Sequence, residues 1–349
     1  MSANDGRSEP GGRSATASPA RGGGEVPHGN DQLVIARDFK VRRTELTCPA
    51  HSLKMMTKAA ESSADEVILD LEDSCAVSQK VEARKTLIQA FRTLDFKGKI
   101  RTFRPNNIRT KYFYRDVIEV VEACGDKIDA IVIPKSESPE DVMFVDKLLT
   151  QIELNLGLPV GKIEIEALIE SANGVLKAEA IAKSTPRMAG LIFGIADYAG
   201  DIGAKELTKD QFSVYHYPKA HTIAAARSAG IAVVDNVTLQ FRDLEQVEKD
   251  ARAGAQMGFD GKWAIHPSHI EIINRVYSPS ADELTRALAI MKAYKDADTG
   301  GLGAIVFGDE MVDAATLRVE WKKIAVARKA GLLDKDDRIV AQVAKAATA

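Results

Sequence analysis

The 349-residue chain reads as an α/β protein: a (β/α)8 TIM barrel with a C-terminal helical lid segment. Three observations predict this. From about residue 40, short apolar runs alternate with longer runs of helical period. Eight such units fit the roughly 250 residues that this kind of barrel takes. The apolar runs are more continuous than alternating, as expected for strands covered on both faces. Strand–helix alternation implies parallel strands joined by right-handed crossovers. A doubly wound open sheet is the alternative, but no GxGxxG follows the first strand, so its nucleotide-binding form has no support.

In chain order, the predicted strands are Arg43–Cys48, Glu66–Leu69, Lys99–Phe103, Ala130–Ile133, Ile163–Ile169, Gly190–Phe193, Ala232–Val234 and Lys262–Ile265. Between them, Val81–Leu94 carries Val81, Leu87, Ile88, Phe91 and Leu94 at helical steps, and Val142–Ile152 and Ala220–Ala229 read the same way. After the eighth strand the pattern changes. Ala281–Ala297 is helical with no strand behind it, followed by Gly300–Gly303, an apolar pair at Ile305–Val306, and a helical run from Ala314 to about Ala330. The expected organisation is a disordered tail over 1–30, the barrel over 40–278, a lid or oligomerisation segment over 279–335 and a C-terminal tail over 336–349.

Gly, Ser and Pro crowd the first 30 residues, and no Leu, Ile, Phe, Trp or Tyr precedes Leu33. Such a stretch buries too little apolar area to offset its ordering entropy. A transit peptide is the other reading, and Asp5, Glu9 and Glu25 argue against it. Lys+Arg 47 against Asp+Glu 50 leaves a net charge of −3, with no global pull toward nucleic acid or an anionic membrane. No apolar run approaches the ~18 residues of a membrane span. Cys48, Cys75 and Cys124 cannot all pair and form no CxxC, which disfavours a disulfide scaffold or zinc ribbon and fits a reducing, cytoplasmic setting.

Barrel chemistry gathers at the carboxyl ends of the strands. In order, these ends lead into Pro49, Asp70-Leu71-Glu72-Asp73, Arg104-Pro105-Asn106, Pro134-Lys135-Ser136-Glu137, Glu170-Ser171, Gly194-Ile195-Ala196-Asp197, Asp235 and His266-Pro267. The result is a rim rich in carboxylates. Asp73 and Asp235 read best as N-caps of the next helix, Lys135 as a salt-bridge partner of a loop carboxylate, and His266 as a structural hydrogen-bonder. Glu170 and Asp197 are harder to dismiss. Two converging oxygens with room for water suit Mg²⁺, and nothing offers the His/Cys set of zinc.

Taken together, several strings resemble the citrate lyase β-subunit/malyl-CoA lyase family. They are Asp70–Asp73 with Lys80 and Arg84, Arg104-x-Asn106, Pro134–Ser138, Ile169–Gly174, and Gly258–Pro267. The resemblance runs in order from about Arg43 to about Ala330, and Tyr114–Val117 with the two later strings is most similar to malyl-CoA lyases. It implies a TIM barrel with a C-terminal lid, Mg²⁺ (Mn²⁺ possible), acyl-CoA thioester and 2-oxoacid substrates, and a homo-oligomer, often a trimer or hexamer, whose lid serves a neighbouring site. Glu170 and Asp197 match the metal pair, and Arg104 matches the arginine on the thioester or enolate oxygen. Asp313 matches an acid/base aspartate reaching the adjacent subunit, although a carboxylate ahead of a helix is ordinarily an N-cap. Arg43, Glu72 and Asp73 fall on the substrate side, with Glu72 or Asp73 orienting Arg104 or holding water. Pro105 and Asn107, and the short Leu207–Tyr217 stretch, depart from the family pattern and leave the acyl group open. A malyl-CoA thioesterase, a citrate lyase β-subunit on a carrier thioester and a non-catalytic CoA-ester-binding protein are the alternatives.

Overall fold

A computed structural model of the chain describes residues 39–298 and 304–340. Eight parallel strands close in sequence order into a barrel. They are β1 Thr44–Pro49, β2 Glu66–Asp70, β3 Ile100–Arg104, β4 Ala130–Ile133, β5 Glu164–Ile169, β6 Met188–Phe193, β7 Ala232–Asp235 and β8 Gly261–Ala264. All eight predicted strands are present, with ends displaced by no more than two residues. The first crossovers carry α1 Leu53–Glu61, α2 Lys80–Thr93, α3 Phe113–Cys124 and α4 Pro139–Leu156. The later ones carry α5 Ala172–Leu176, α6 Ala178–Ala182, α7 Ile195–Asp201, α8 Gln211–Val214, α9 His216–Ala229, α10 Leu244–Met257 and α11 Ile270–Val276. Helix α4 outruns its apolar period at both ends because its caps lie outside it. The Ser138 side chain accepts from the Asp141 N–H, Pro139 opens the first turn, and Gly157 closes the helix at φ 67°.

Side chains alternate across each strand, so every second residue enters the barrel. Three tiers result. Glu45, Glu66 and Glu166 meet near the strand starts. Ile68, Val132, Leu168, Ile192, Val234 and Trp263 form an apolar cluster above them. Asp70, Arg104 and Glu170 stand at the strand ends. On β2 the run Glu66, Ile68, Asp70 places one residue in each tier, and Glu166, Leu168, Glu170 repeats this along β5 and just past its end. The larger core lies outside the wall, between strands and helices, around Leu87, Val117, Val145, Ile181 and Val247.

Beyond the barrel come α12 Ala281–Asp298, β9 Ile305–Phe307, β10 Glu310–Val312 and α13 Ala314–Lys329. The two short strands form an antiparallel hairpin that the sequence pattern did not predict. Its loop is Gly308-Asp309, with Gly308 at φ 61°, where a side chain would be strained. The segment has small cores of its own: Leu284, Ala287, Ile324, Ala327 and Leu333 in one, Ile290, Val312 and Leu317 in another. Lys322 Nζ, 2.8 Å from Asp260 Oδ1, ties α13 to the loop before β8. The expected C-terminal tail is ordered through residue 340: Ile339 bridges to Leu333, and Arg328 holds Asp337 at 2.6 Å. The expected N-terminal tail over 1–30 lies outside the described residues, as do residues 341–349. No described helix is long and apolar enough to cross a membrane.

Candidate active site

Asp70 ends β2, and Arg104 ends the neighbouring β3. The register sets them side by side, and the guanidinium forks onto the carboxylate through Nε (2.7 Å) and Nη2 (2.8 Å). Burial pushes the Asp70 carboxyl up, but Arg104 overrides it and holds the group down at about 2. The same carboxylate accepts the N–H groups of Glu72 and Ser74 at 2.9 and 3.0 Å, so the acidic loop turns around its first member. Arg104 Nη1 lies 3.1 Å from Glu72 Oε2, and its guanidinium is 5.2 Å from the centroid of the Trp263 ring.

A second layer supports the fork. Lys80 donates to the carbonyls of Leu71 and Glu72 at 3.1 and 2.8 Å and also to Asn106 Oδ1. Asn106 donates to Asp116 Oδ2 at 2.6 Å, and Asp116 pairs with Arg84 at 2.8 Å. The strings around Asp70, Lys80, Arg84 and Asn106 are therefore one connected network.

Just past β4, Lys135 adopts φ 50°, a left-handed conformation rare outside glycine. Strain of this kind persists where surrounding structure enforces it, often at functional sites. The conformation turns the Lys135 N–H onto Glu170 Oε1 at 2.8 Å. It also sets Nζ 2.9 Å from Glu72, 3.3 Å from Asp197 and 3.6 Å from Asp73. Burial disfavours the Lys135 charge, yet Glu72 and Glu170 raise its pKa.

Glu170 follows β5 and is buried. Burial first, then the charges of Glu72 and Asp197, push its carboxyl well up against the pull of Arg104 and Lys135. Asp197 stands half-buried in the first turn of α7. Gly194 makes that approach possible, since a Cβ there would meet Glu170 Cβ and Oε2 at 2.7 Å. Glu170 and Asp197 line a cavity of about 460 Å³ with Lys135, Glu137, Ser171 and Asp201. Four carboxylates line this cavity, Glu137, Glu170, Asp197 and Asp201, with no His or Cys among the lining residues, and such an oxygen donor set fits a hard divalent cation.

The structure thus gathers Glu72, Asp73, Arg104, Glu170 and Asp197 on one rim. It does not bring Arg43 there. Arg43 precedes β1 at the opposite mouth, where Asp65 takes Nε and Nη2 (2.8 and 2.7 Å) and Ser278 takes Nη1 (2.8 Å). Its expected substrate contact is corrected for that reason. Asp313 does not line the cavity; it caps α13, accepting from the N–H groups of Ala315 and Thr316, which lower its pKa.

Asp235 is not the expected cap. It is buried behind the barrel wall between Lys219 and Lys262. Asp73 caps none of the described helices, and its carboxylate lies 3.6 Å from Lys135 Nζ instead. Lys135 and His266 behave as expected, the latter accepting from the Ser268 N–H at 3.2 Å. The sequence reading undervalued Asp70 and Lys135. For Lys135 the available signal was its place directly after a strand-ending proline.

A closed parallel barrel with its polar groups gathered at the strand ends has the build of a (β/α)8 enzyme. The chain belongs to the HpcH/HpaI aldolase/citrate lyase family, whose model matches residues 43–267, and it is a lyase. It is 36% identical over 302 residues to an L-malyl-CoA/β-methylmalyl-CoA lyase of Cereibacter sphaeroides, covering 82% of this chain and 95% of that one. It is 31% identical over 301 residues to the citrate lyase subunit beta of Leuconostoc mesenteroides subsp. cremoris, covering 86% and 98%. Among solved structures, the CitE protein of Mycobacterium tuberculosis in complex with magnesium, acetoacetate and coenzyme A aligns with a TM-score of 0.67 at 29% identity, covering 83% of this chain and 98% of that one.

Proposed function

We propose that the chain is a Mg²⁺-dependent acyl-CoA lyase. It cleaves a 3-hydroxyacyl-CoA thioester (malyl-, β-methylmalyl- or citramalyl-CoA) reversibly to a 2-oxoacid, glyoxylate or pyruvate, and acetyl-CoA or propionyl-CoA through an enolate. The observation that carries this reading is the convergence of Glu170 and Asp197 on one cavity beside the Arg104–Asp70 fork, in a chain similar along most of its length to a malyl-CoA lyase.

Mg²⁺, or Mn²⁺ in its place, supplies Lewis acidity for the acid half of the substrate when bound. Glu170 and Asp197 would hold it. Lys135 fixes the Glu170 carboxylate through its backbone N–H and draws Glu72 and Asp197 inward through its ammonium. Arg104, with two donors locked on Asp70, offers its remaining N–H groups to the thioester oxygen as negative charge grows there. Glu72 and Asp73 orient these cations. Asp313 exchanges the proton at the enolate carbon, working from the lid of one subunit on the site of the next in a trimer or hexamer.

The test is product analysis on the full-length protein with Mg²⁺ and each of the three thioesters. Release of the 2-oxoacid without free thiol is the expected result. Free thiol with malate would replace the lyase by a thioesterase. Neither product from any of the three would overturn catalysis on free CoA esters.

A further inference from the structure

The lower tier of the barrel gathers carboxylates that outnumber the cations reaching them among the described residues. Glu45 on β1, Glu66 opening β2 and Glu166 on β5 are no more than 1% exposed. One oxygen from each lies within 4.8 Å of the other two. Among the described residues, the cation that reaches them is Arg42, whose Nε lies 2.6 Å from Glu166 Oε1 and 3.2 Å from Glu66 Oε2. Fully ionised, three carboxylates and one guanidinium sum to −2, a charge that burial and mutual repulsion oppose by pushing the Glu45 and Glu66 carboxyls well above the usual range.

The hydrogen bonding is equally incomplete. Both oxygens of Glu45, both of Glu66 and Oε2 of Glu166 accept no hydrogen bond from a described residue. The Thr102 hydroxyl on β3 is fully buried beside Glu66, close enough to interact with it but outside strict hydrogen-bond geometry. Above, the apolar tier around Ile68, Leu168 and Trp263 separates this group from the rim. Gly190, in register beside Glu166 on β6, brings no side chain into this tier.

Buried carboxylates without partners are costly. Two protons shared as O–H···O contacts between the carboxylates would cancel the charge. One divalent cation cancels the same charge and takes lone pairs from all three carboxylates. An oxygen span of up to 4.8 Å matches the distance across an ion with bonds of about 2.1–2.5 Å.

We propose that this tier is a second, structural divalent-cation site of the hard-ion class (Ca²⁺, Mg²⁺ or Mn²⁺), with Glu45, Glu66 and Glu166 as ligands and Thr102 as a neutral fourth oxygen. It is separate from the rim and does not depend on the reaction assigned to it.

The experiment uses the full-length protein carrying Glu170→Gln and Asp197→Asn, so that the rim pair no longer competes. The expected result is about one retained equivalent of divalent ion by elemental analysis after gel filtration. Returning Ca²⁺, Mg²⁺ or Mn²⁺ to chelated protein should raise Tm by roughly 4–8 °C. Adding Glu45→Gln should abolish both the retained ion and the response. If that variant does not fold, Thr102→Val should weaken ion retention at least several-fold in a folded protein. No retained ion and no Tm response to any of the three ions would overturn the proposal, and so would full retention after Glu45→Gln.

Discussion

Both oxygens of Asp70 face the Arg104 guanidinium, and the pH dependence of that contact has a definite sign. Its folded pKa falls from 3.8 to about 2. The pair's stabilisation is therefore complete above about pH 4 and lost as pH drops through 2, with a size on the order of 2 kcal/mol. Asp70→Asn should flatten the difference between denaturant midpoints measured at pH 5 and pH 2.5. Arg104→Lys keeps the charge but loses the fork; turnover should fall roughly 10²–10³-fold with a native-like circular dichroism spectrum. Asp70 escaped the sequence reading because Asp70, Glu72 and Asp73 stand almost together, and strand parity decides which one points inward. The apolar run stops at Leu69, whereas β2 extends one residue further and places Asp70 in the upper tier. Arg43 fails for the opposite reason, since it enters its strand where the substrate contact required it to leave.

At the scale of elements, the joint between β6 and α7 is a single glycine. Gly194→Ala drives a Cβ into Glu170. The expected outcome is a loss of about 1–3 kcal/mol of stability and weaker Mg²⁺ binding by calorimetry. The lid can be tested through its own core. Leu284→Ala should cost about 2–5 kcal/mol, confined to amides of α12 and α13 in hydrogen exchange, while the barrel strands stay protected. Eight strands were legible because their apolar runs are covered on both faces, and β9 and β10 were not because three residues carry no period. The Gly308-Asp309 step between two apolar stretches was the overlooked hairpin signal. Asp235 looked like a cap because a carboxylate after a strand commonly is one; only the fold reveals Lys219 and Lys262 closing on it from α9 and β8.

For the molecule as a whole, the proposed oxygen ligands Glu170 and Asp197 predict that exhaustive chelation abolishes turnover and that Mg²⁺ or Mn²⁺ restores it; full activity after chelation would refute the metal's part. A shared site makes a further prediction. Asp313→Asn and Glu170→Gln should each lose most turnover, while an oligomer reassembled from both should regain a clear fraction of the wild-type rate. If no rate returns in mixtures shown by mass to contain both protomers, Asp313 acts within its own subunit or outside catalysis. The convergence of Glu170 and Asp197 on one cavity was readable from strand ends alone. Within one chain Asp313 makes the hydrogen bonds of an ordinary cap, so its part in a neighbouring site rests on the proposed function. The layered barrel interior has a last consequence. Six apolar side chains keep water and protons from passing between the two charged ends, but they do not stop an electric field. Glu66 and Asp70 are four residues apart, about 13 Å along the strand, and at an effective dielectric constant of about 20 a unit charge is felt there at about 1 kcal/mol. With an ion bound, the charges of the barrel's foundation cancel and the reaction end is left undisturbed; stripping the ion would turn that foundation into a remote electrode.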